Sequence, residues 1–273
     1  MILPPSAGVI GWPVAQSKSP LIHRFWLGKL GIDGDYGRFP VAPEHLGAAI
    51  RALPALGLRG VNVTVPHKVT VMAHLDAIDP AAAAIGAVNT VVIGSGGRLT
   101  GYNTDIDGVL EPLADVALAG AAVVVLGAGG AARAVFAALR ARRVEHVSVV
   151  VRDVVRGRVA LDAAGVAGDV LPWGTALPPA ALLVNATSLG MTGQPPLGVD
   201  LSGMPVETVV YDLVYAPLET PLLAAARARG MPVIDGLAML IGQAASAFAH
   251  FYGAAAPRQH DAELRGLLMG KSL

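Results

Sequence analysis

Short apolar runs alternate with longer segments of helical period along almost the whole chain. Helical stretches are predicted from Ser19 to Leu30 and from Pro43 to Leu53, and we predict Ser19 as the cap of the first helix because Pro20 follows it. Two later runs, joined by the glycine turn GSGG, predict a β-hairpin. The apolar runs of this part are AGVIGWP, DYGRFPV, RGVNVTV, GAVNTVVI and RLTGYN. They predict an α/β unit with a mixed sheet.

From about Asp105 the alternation becomes more regular. A helix predicted from Gly108 to Val116 leads into a strand, a glycine turn and a second helix. Regular alternation of strands and helices is typical of a doubly wound parallel sheet of the Rossmann type. We therefore predict two domains of the α/β class, with a boundary near residues 102–107. The strands predicted in this part are AAVVVL, HVSVVVRD, GDVLP, ALLVNAT, TVVYDLVY and MPVIDG.

Composition narrows the class of partner. In 273 residues, 53% are hydrophobic, and 20 basic residues balance 20 acidic ones, so neither nucleic acid nor a membrane is expected. Small molecules are the expected ligands. The absence of cysteine excludes disulfides and thiolate ligands and suits a reducing compartment, so a cytoplasmic location is predicted. The first residues do not resemble a signal peptide, and the histidines show no metal-ligand spacing, so no metal is expected.

The clearest motif is the glycine turn in VVVLGAGGAARA, which has the spacing G-x-G-x-x-A. Gly127 permits a tight turn, Gly129 lets the backbone approach a pyrophosphate, and the small Ala132 allows the helix to pack closely. The N-terminus of the following helix faces the anion. Because a strand precedes the motif and a helix and a strand follow it, we predict a dinucleotide site.

The next strand should end near the adenosine ribose of that dinucleotide. An acidic residue there favours NAD, whereas arginine accommodates the additional phosphate of NADP. The chain offers Arg152 and Arg156, which are four residues apart, with Asp153 between them. The prediction is NADP, with NAD left possible because of Asp153. An ordinary helix start with an acidic first turn is the alternative interpretation of this segment.

Polar residues in the first part follow strand ends. Ser17 and Ser19 lie after the first strand, Thr64 and Lys68 near the end of the third, and Asn89 in a later strand. A pocket for a polyol or a carboxylic acid requires side chains of this kind. Hydride delivery to a ketone builds negative charge on its oxygen, and a lysine ammonium can stabilise that charge and donate a proton. His67 is an alternative acid, but it neighbours Lys68 on a predicted extended segment and should point elsewhere.

Eight segments together resemble the shikimate dehydrogenase family, in the family's order and at about its spacing, over residues 11–248. The resemblance implies a two-domain enzyme that reversibly reduces 3-dehydroshikimate to shikimate with NADPH. It also implies that the C-terminal helices complete the substrate domain, which gives a substrate-binding domain of residues 1–104 and 238–273 and an NADP-binding domain of residues 105–237. The segments are GWPVAQSKSPLIH, GVNVTVPHK, GAVNTV, GYNTDIDG, LGAGGAARA, NATSLGM, YDLVYAPLETPLL and DGLAMLIGQAASAF.

The resemblance also implies roles for individual residues. Lys68 and Asp105 match the catalytic pair. The residues that match substrate contacts are Ser17, Ser19, Thr64, Asn89, Tyr215 and Gln243. The residues that match cofactor contacts are Gly127, Gly129, Gly130, Ala131, Arg152, Thr187, Met191, Gly236 and Met239. Where family members have Asn-Arg-Thr at the ribose, this chain has Val151, Arg152 and Asp153.

Two alternatives stay open from the sequence. A quinate or aminoshikimate dehydrogenase that uses NAD would share nearly all these motifs, and Asp153 favours it. A regulatory protein that binds shikimate without turnover would also share them, although it would be expected to have lost Lys68 or Asp105, and both are present. Either a monomer or a homodimer is compatible with the sequence.

Overall fold

The computed structural model describes residues 4–270. They form two compact units, the first made of the chain up to Thr104 and from Gln243 onward, the second of Asp105–Gly242. No helix within the described part is long and apolar enough to cross a membrane. The helices and strands, in chain order, are β1 (Ser6–Gly11), α1 (Ser19–Leu30), β2 (Asp35–Pro40), α2 (Leu46–Ala52), β3 (Gly60–Val63), β4 (Ala77–Ile78), α3 (Pro80–Ile85), β5 (Thr90–Ile93), β6 (Leu99–Tyr102), α4 (Asp105–Leu110), β7 (Ala122–Leu126), α5 (Gly130–Ala141), β8 (His146–Val151), α6 (Val154–Ala164), β9 (Gly168–Pro172), β10 (Leu182–Asn185), β11 (Val209–Asp212), α7 (Pro221–Ala228), β12 (Val233–Ile234), α8 (Gly236–Tyr252) and α9 (Asp261–Leu268).

The sheet of the first unit is mixed, as the sequence predicts. Its strand order is β2-β1-β3-β5-β6-β4. β1 pairs in parallel with β2 and β3, whereas β5 runs antiparallel to both β3 and β6. An antiparallel neighbour places the start of β5 beside the end of β3. Residues before β5 and after β1, β3 and β6 therefore meet at one end of this sheet.

Two apolar clusters hold the first unit together. One packs α2 against the sheet through residues such as Ile50, Val61 and Val91. The other lies under α1 and α8 and is rich in aromatic rings, with Tyr36 and Phe251 among its buried members. Because rings of this size bury large apolar areas, this second cluster ties the end of α8 to the sheet of the same unit.

The sheet of the second unit is entirely parallel. Its strand order is β12-β11-β10-β7-β8-β9, and each strand is joined to the next through a crossover. The strands are almost wholly apolar, as parallel strands covered on both faces must be. One cluster packs α5 and α6 on one face, and another packs α7 on the other. The predicted doubly wound Rossmann architecture, and the α/β class, are confirmed.

Several element boundaries differ from the sequence prediction. α4 begins at Asp105 instead of Gly108, because Asp105 and Asp107 occupy a favourable acidic first turn. α1 is preceded by Lys18 as its cap residue, so Ser19 is the first helical residue and not the cap. The second unit also extends to Gly242, five residues beyond the predicted boundary at residue 237. The first turns of α8 belong to it because Gly242 packs closely on Gly108 of α4.

Candidate functional site

The ends of β1 and β3 lie side by side in the first unit. Ile10 pairs with Val63, so Gly11 and Thr64 are the next residues on each strand. The Thr64 amide donates to the Ile10 carbonyl at 2.9 Å, and a Cβ on Gly11 would lie 2.5 Å from the Thr64 methyl carbon. Gly11 is therefore needed to let Thr64 fit at this strand end. Thr64 itself is half-buried.

Ser17 and Ser19 face each other where α1 begins. The Ser17 hydroxyl lies 3.3 Å from the Ser19 hydroxyl and 3.3 Å from the Ser19 amide, from which it accepts a hydrogen bond. The guanidinium of Arg38 donates to the Ser17 carbonyl at 2.7 Å and so holds the turn before α1 in place. Two hydroxyls held this way, beside the amides of a helix start, suit a carboxylate ligand.

Lys68 and His67 occupy a turn after β3, not the extended segment predicted. The Lys68 carbonyl accepts from the Val88 amide at 2.8 Å, which brings this turn next to Asn89. Lys68 is half-buried. His67, the alternative acid, is only 1% exposed, and its Nε2 lies 2.7 Å from the Val41 carbonyl. Burial and this hydrogen bond turn the His67 ring into the protein.

Asn89 lies directly before β5 instead of within it and is the acceptor of a buried polar network. Its side-chain oxygen accepts from the Thr104 amide at 2.7 Å and from the Thr90 hydroxyl at 2.9 Å. The Thr90 hydroxyl in turn accepts from the amide group of Asn62 at 2.9 Å. Asn62 accepts from the Tyr36 hydroxyl at 2.6 Å. The network fixes the side-chain rotamer of Asn89 before any ligand binds.

Tyr36 lies at the far end of this network from Asn89. Its hydroxyl donates to Asn62 at 2.6 Å. Burial raises the pKa of the Tyr36 hydroxyl well above its usual value, so the group remains a neutral donor. A continuous set of hydrogen bonds therefore links Tyr36 with Asn89. Sequence reasoning missed this role, since a tyrosine in an apolar run is usually a core residue.

The second unit begins with Asp105, which directly follows Thr104 of this network. Asp105 is 7% exposed and starts α4. Tyr215, also predicted on the substrate side, belongs to this unit as well, whereas Gln243 is the first residue that α8 contributes to the first unit. The predicted catalytic and substrate residues are thus divided between the two units.

The predicted dinucleotide turn has the expected local geometry. Gly127 has a φ of 101°, a conformation that favours glycine, and a Cβ there would lie 2.9 Å from the Thr187 methyl carbon. A Cβ on Gly129 or Gly130 would meet nothing within 4 Å, so these backbones face open space. Ala132 is fully buried in the helix packing. The turn leaves room for a pyrophosphate at the start of α5, which also contains Ala131.

A cavity of about 420 Å³ opens beside this turn. Arg152 and Arg156 line it, and within residues 4–270 their guanidinium groups form no hydrogen bond or ion pair. Two exposed, unpaired guanidiniums suit a phosphate monoester. The residues therefore fit the predicted NADP. The other lining residues are Gly127, Ala128, Gly129, Val150, Val151, Asp153, Trp173, Ala186, Thr187, Ser188, Leu189, Gln194 and Pro195.

Asp153 has a local partner. It is the cap residue of α6, and its side chain accepts from the Arg156 amide at 3.0 Å. A capping carboxylate satisfies one of the unpaired amides at a helix start. The second interpretation of this segment, an acidic helix start, therefore describes Asp153, while both arginines still line the cavity. Trp173, which follows β9 and lines the same cavity, is a residue that sequence reasoning missed.

Thr187 is held by a second buried network. Its amide and hydroxyl both donate to the side-chain oxygen of Asn185, at 3.0 and 2.7 Å. The amide group of Asn185 donates to Asp212 at 2.8 Å. Asn185 and Asp212 are fully buried. Sequence reasoning missed both, because only the register of β10 against β11 places them side by side.

The remaining predicted cofactor residues lie outside the lining of this cavity. Met191 is 38% exposed in the loop after Thr187. Gly236 begins α8, where a Cβ would lie 2.5 Å from the Leu213 carbonyl oxygen, and Met239 lies one turn further along that helix. Gly236 is thus needed for α8 to approach the segment that precedes Tyr215. Among the described residues, no group of three or more potential metal ligands occurs.

Comparisons with known proteins agree with this site. Residues 9–91 match the family model described as the shikimate dehydrogenase substrate binding domain. A shikimate dehydrogenase (NADP(+)) from Sphingopyxis alaskensis is 53% identical over 268 residues, which are 97% of this chain and 97% of the relative.

Solved structures give the same result. A shikimate 5-dehydrogenase from Thermus thermophilus, in complex with NADP(H) and shikimate, has a TM-score of 0.84 at 38% identity and covers 95% of this chain and 98% of its own. A quinate dehydrogenase from Corynebacterium glutamicum, in complex with NAD, has a TM-score of 0.88 at 33% identity, over 96% and 98% of the two chains. Identity this high over nearly the whole length leaves one conclusion: the chain belongs to the shikimate dehydrogenase family.

Proposed function

We propose that this protein catalyses the reversible NADPH-dependent reduction of 3-dehydroshikimate to shikimate, a step toward chorismate and the aromatic amino acids. The observation that carries the proposal is the 53% identity, over 97% of the chain, with a shikimate dehydrogenase (NADP(+)). The protein is accordingly an oxidoreductase. The cavity with two unpaired guanidiniums supports NADP as its cofactor, since a bound 2′-phosphate would supply the anionic partner that they lack.

The substrate is proposed to bind at the strand ends of the first unit. Ser17 and Ser19 would hold its carboxylate, and Thr64, Asn89 and Gln243 its hydroxyls. These are neutral hydrogen-bonding groups, as a polyhydroxylated ring requires. Tyr215 is proposed as a further contact from the second unit. The buried network that fixes Asn89 supports the assignment, because a rotamer fixed in advance lowers the entropic cost of binding.

Lys68 and Asp105 are proposed as the catalytic pair. NADPH, when bound, supplies the hydride that reduces the ketone carbon. The Lys68 ammonium stabilises the charge that develops on the ketone oxygen and donates the proton that completes the hydroxyl. The Asp105 carboxylate orients the ammonium and accepts from a neighbouring substrate hydroxyl. In the reverse direction, Lys68 takes the proton back from the shikimate hydroxyl.

The cofactor residues are proposed to act as three groups. The turn Gly127, Gly129, Gly130 and Ala131 would bind the pyrophosphate, and Arg152 with Arg156 the ribose phosphate. Thr187, Met191, Gly236 and Met239 would lie on the nicotinamide side. The first unit, residues 1–104 and 243–273, is proposed as the substrate domain, and the second unit, residues 105–242, as the NADP domain. A cytoplasmic location and a monomeric or homodimeric state stay predictions.

Initial rates with four substrate pairs test the proposal. Shikimate and quinate are each assayed with NADP and with NAD, following the reduced nicotinamide by absorbance. Shikimate with NADP is expected to give the largest kcat/KM. Quinate with NAD is the second candidate, favoured by the likeness to a quinate dehydrogenase in complex with NAD. Activity with none of the four pairs would overturn the dehydrogenase proposal and leave the regulatory alternative.

A further inference from the structure

A fully buried carboxylate of the second unit, Asp212, is linked to the glycine turn only through other side chains. We propose that Asp212 is a positioning residue for the cofactor: by way of Asn185 it holds Thr187 against Gly127 and so fixes the shape of the pyrophosphate turn. The inference rests on the proposed use of NADP. It deepens that proposal by assigning a role to two buried residues that touch no ligand themselves.

Asp212 is built as an acceptor of several donors. Its side chain is fully buried at the end of β11. One oxygen accepts from the amide group of Asn185 at 2.8 Å and from the Val214 backbone amide at 3.0 Å, and the other from the Thr220 hydroxyl at 2.7 Å. A carboxylate buried without compensation would be unfavourable, but these bonds satisfy it. Asp212 thereby fixes the direction of the Asn185 amide group.

Asn185 passes this orientation on. With its nitrogen committed to Asp212 and to the Leu189 carbonyl, its oxygen must point toward Thr187. There it accepts from both the amide and the hydroxyl of Thr187. The Thr187 hydroxyl also accepts from the Leu189 amide at 3.1 Å, which closes the loop. One side chain thus determines the conformation of the loop that lines the cofactor cavity.

Thr187 restricts the space beside the glycine turn. Its methyl carbon occupies the space next to Gly127, where a Cβ would lie only 2.9 Å away. The three strand ends are in one row, since Asn185 pairs with Leu126 on one side and with Asp212 on the other. Leu126 is the residue before Gly127. A displaced Thr187 would therefore leave the turn without its packing partner.

Two variants separate this positioning role from a structural one. Asn185→Ala removes one donor to Asp212 and disconnects Thr187. Thr220→Val also removes one donor to Asp212, but on the side of α7, away from the cavity. The dissociation constant of NADPH is measured by titration of its fluorescence, KM for shikimate by initial rates, and the melting temperature by calorimetry. Asn185→Leu serves as a second variant of similar volume if the alanine variant does not fold.

We expect Asn185→Ala to raise the NADPH dissociation constant about tenfold while KM for shikimate changes less than about twofold. Thr220→Val should lower the melting temperature and leave NADPH binding within about twofold of the native protein. Equal weakening in both variants, or no weakening in Asn185→Ala, would overturn the inference. Asp212→Asn keeps an oxygen toward Asn185 and should retain most of the native affinity for NADPH.

Failure of the proposed function gives a different result. The fluorescence titration needs no turnover, so native protein that binds NADPH but oxidises neither shikimate nor quinate would remove the proposed reaction alone. The effect of Asn185→Ala on binding would still be measured. Conversely, full activity of the native enzyme together with unchanged NADPH binding in Asn185→Ala would remove only the positioning role.

Discussion

Both sheets end in a buried polar network, but the two networks are built on different chemistry. In the first unit Tyr36, Asn62 and Thr90 are neutral; Tyr36 donates, and Asn62 and Thr90 each both donate and accept. In the second unit Asp212 only accepts, and three donors converge on it. A neutral chain fixes each member through its neighbours, whereas a carboxylate fixes all its donors at once. The network of the first unit therefore depends on every hydrogen bond in its chain, whereas the network of the second unit depends on Asp212.

The two networks also differ in how protonation affects them. Burial raises the pKa of the Asp212 carboxyl, and hydrogen bonds from Thr220, Val214 and Asn185 lower it in part. In the first unit, burial lowers the pKa of His23, which stacks on Tyr36 at 4.0 Å, to about 3. An acid whose pKa is raised in the folded state makes folding more favourable as the pH falls. A base whose pKa is lowered in the folded state makes folding less favourable as the pH falls. Acid should therefore weaken the first unit first.

The largest effect should follow from removing the proposed acid on the substrate side. Lys68→Ala is expected to lower kcat by a factor of about 10² to 10⁴, because proton donation and charge stabilisation are both lost. The NADPH dissociation constant should stay within about twofold, since the cofactor cavity belongs to the other unit. Rapid-mixing kinetics measure kcat, and fluorescence titration measures the NADPH dissociation constant. Lys29→Ala, which removes an ion pair with Glu263 and a cation–π contact with Phe25, is the control.

A Lys68→Ala enzyme that kept most of its kcat and lost only substrate affinity would contradict the proton-transfer role. It would also leave no difference in kind between Lys68, which is proposed to transfer a proton, and the cofactor residues, which are proposed only to bind.

On the cofactor side, Arg152→Ala should raise KM for NADP by about tenfold to a hundredfold and leave KM for NAD within about twofold. The physical reason is the loss of a charge-assisted hydrogen bond to the 2′-phosphate, which NAD lacks. Arg158→Ala is the matched control, because Arg158 lies six residues further along the chain, on α6, and is already bonded to Asp162 and to the Gly168 carbonyl. Equal effects on both cofactors would indicate a general positioning role for Arg152.

The pH dependence of stability tests the contrast in protonation. The unfolded chain takes up a proton at His23 below pH 6.5, whereas the folded protein does so only near pH 3. The folded state should therefore lose about 2 kcal/mol from this group between pH 6.5 and pH 5. His23→Phe should flatten the curve over this range, measured by urea unfolding at each pH. His45→Gln, at an exposed position, should leave the slope unchanged.

A slope that is the same in His23→Phe and in the native protein would show that acid acts elsewhere, and the order in which the two units weaken would have to be reconsidered.

The smallest effect should come from one hydroxyl of the neutral network. Tyr36→Phe keeps the ring stacked on His23 and leaves the Asn62 oxygen without its donor. We expect KM for shikimate to rise about fivefold, with NADPH binding unchanged. Tyr252→Phe is the control, since that hydroxyl lies in the same aromatic cluster but donates to the Asp35 carbonyl. A similar change in both variants would mean that the cluster, and not the network, determines substrate affinity.

Sequence patterns predict the parts of this molecule that depend on neighbours in the chain. The glycine turn at Gly127 and the alternation of strands and helices are local, and the fold follows from them. Asn185 and Asp212 are 27 residues apart and meet only through the register of β10 and β11. Asn62 and Tyr36 meet across β1, which pairs with both of their strands. β4 has two residues, too few to show a period. Asn62, Asn185 and Asp212 lie within segments that carry the family resemblance, but nothing local in the sequence indicates which side chains they contact.

Asp153 has a consequence for how cofactor selectivity changes over evolution. Its carboxylate accepts from the first turn of α6, and serine, threonine and asparagine can do the same at a helix start. Mutation can therefore add or remove a negative charge in the wall of the cavity at little cost to folding. Selectivity at this position is free to drift by single substitutions, while the glycine turn and the buried carboxylate beneath it are not.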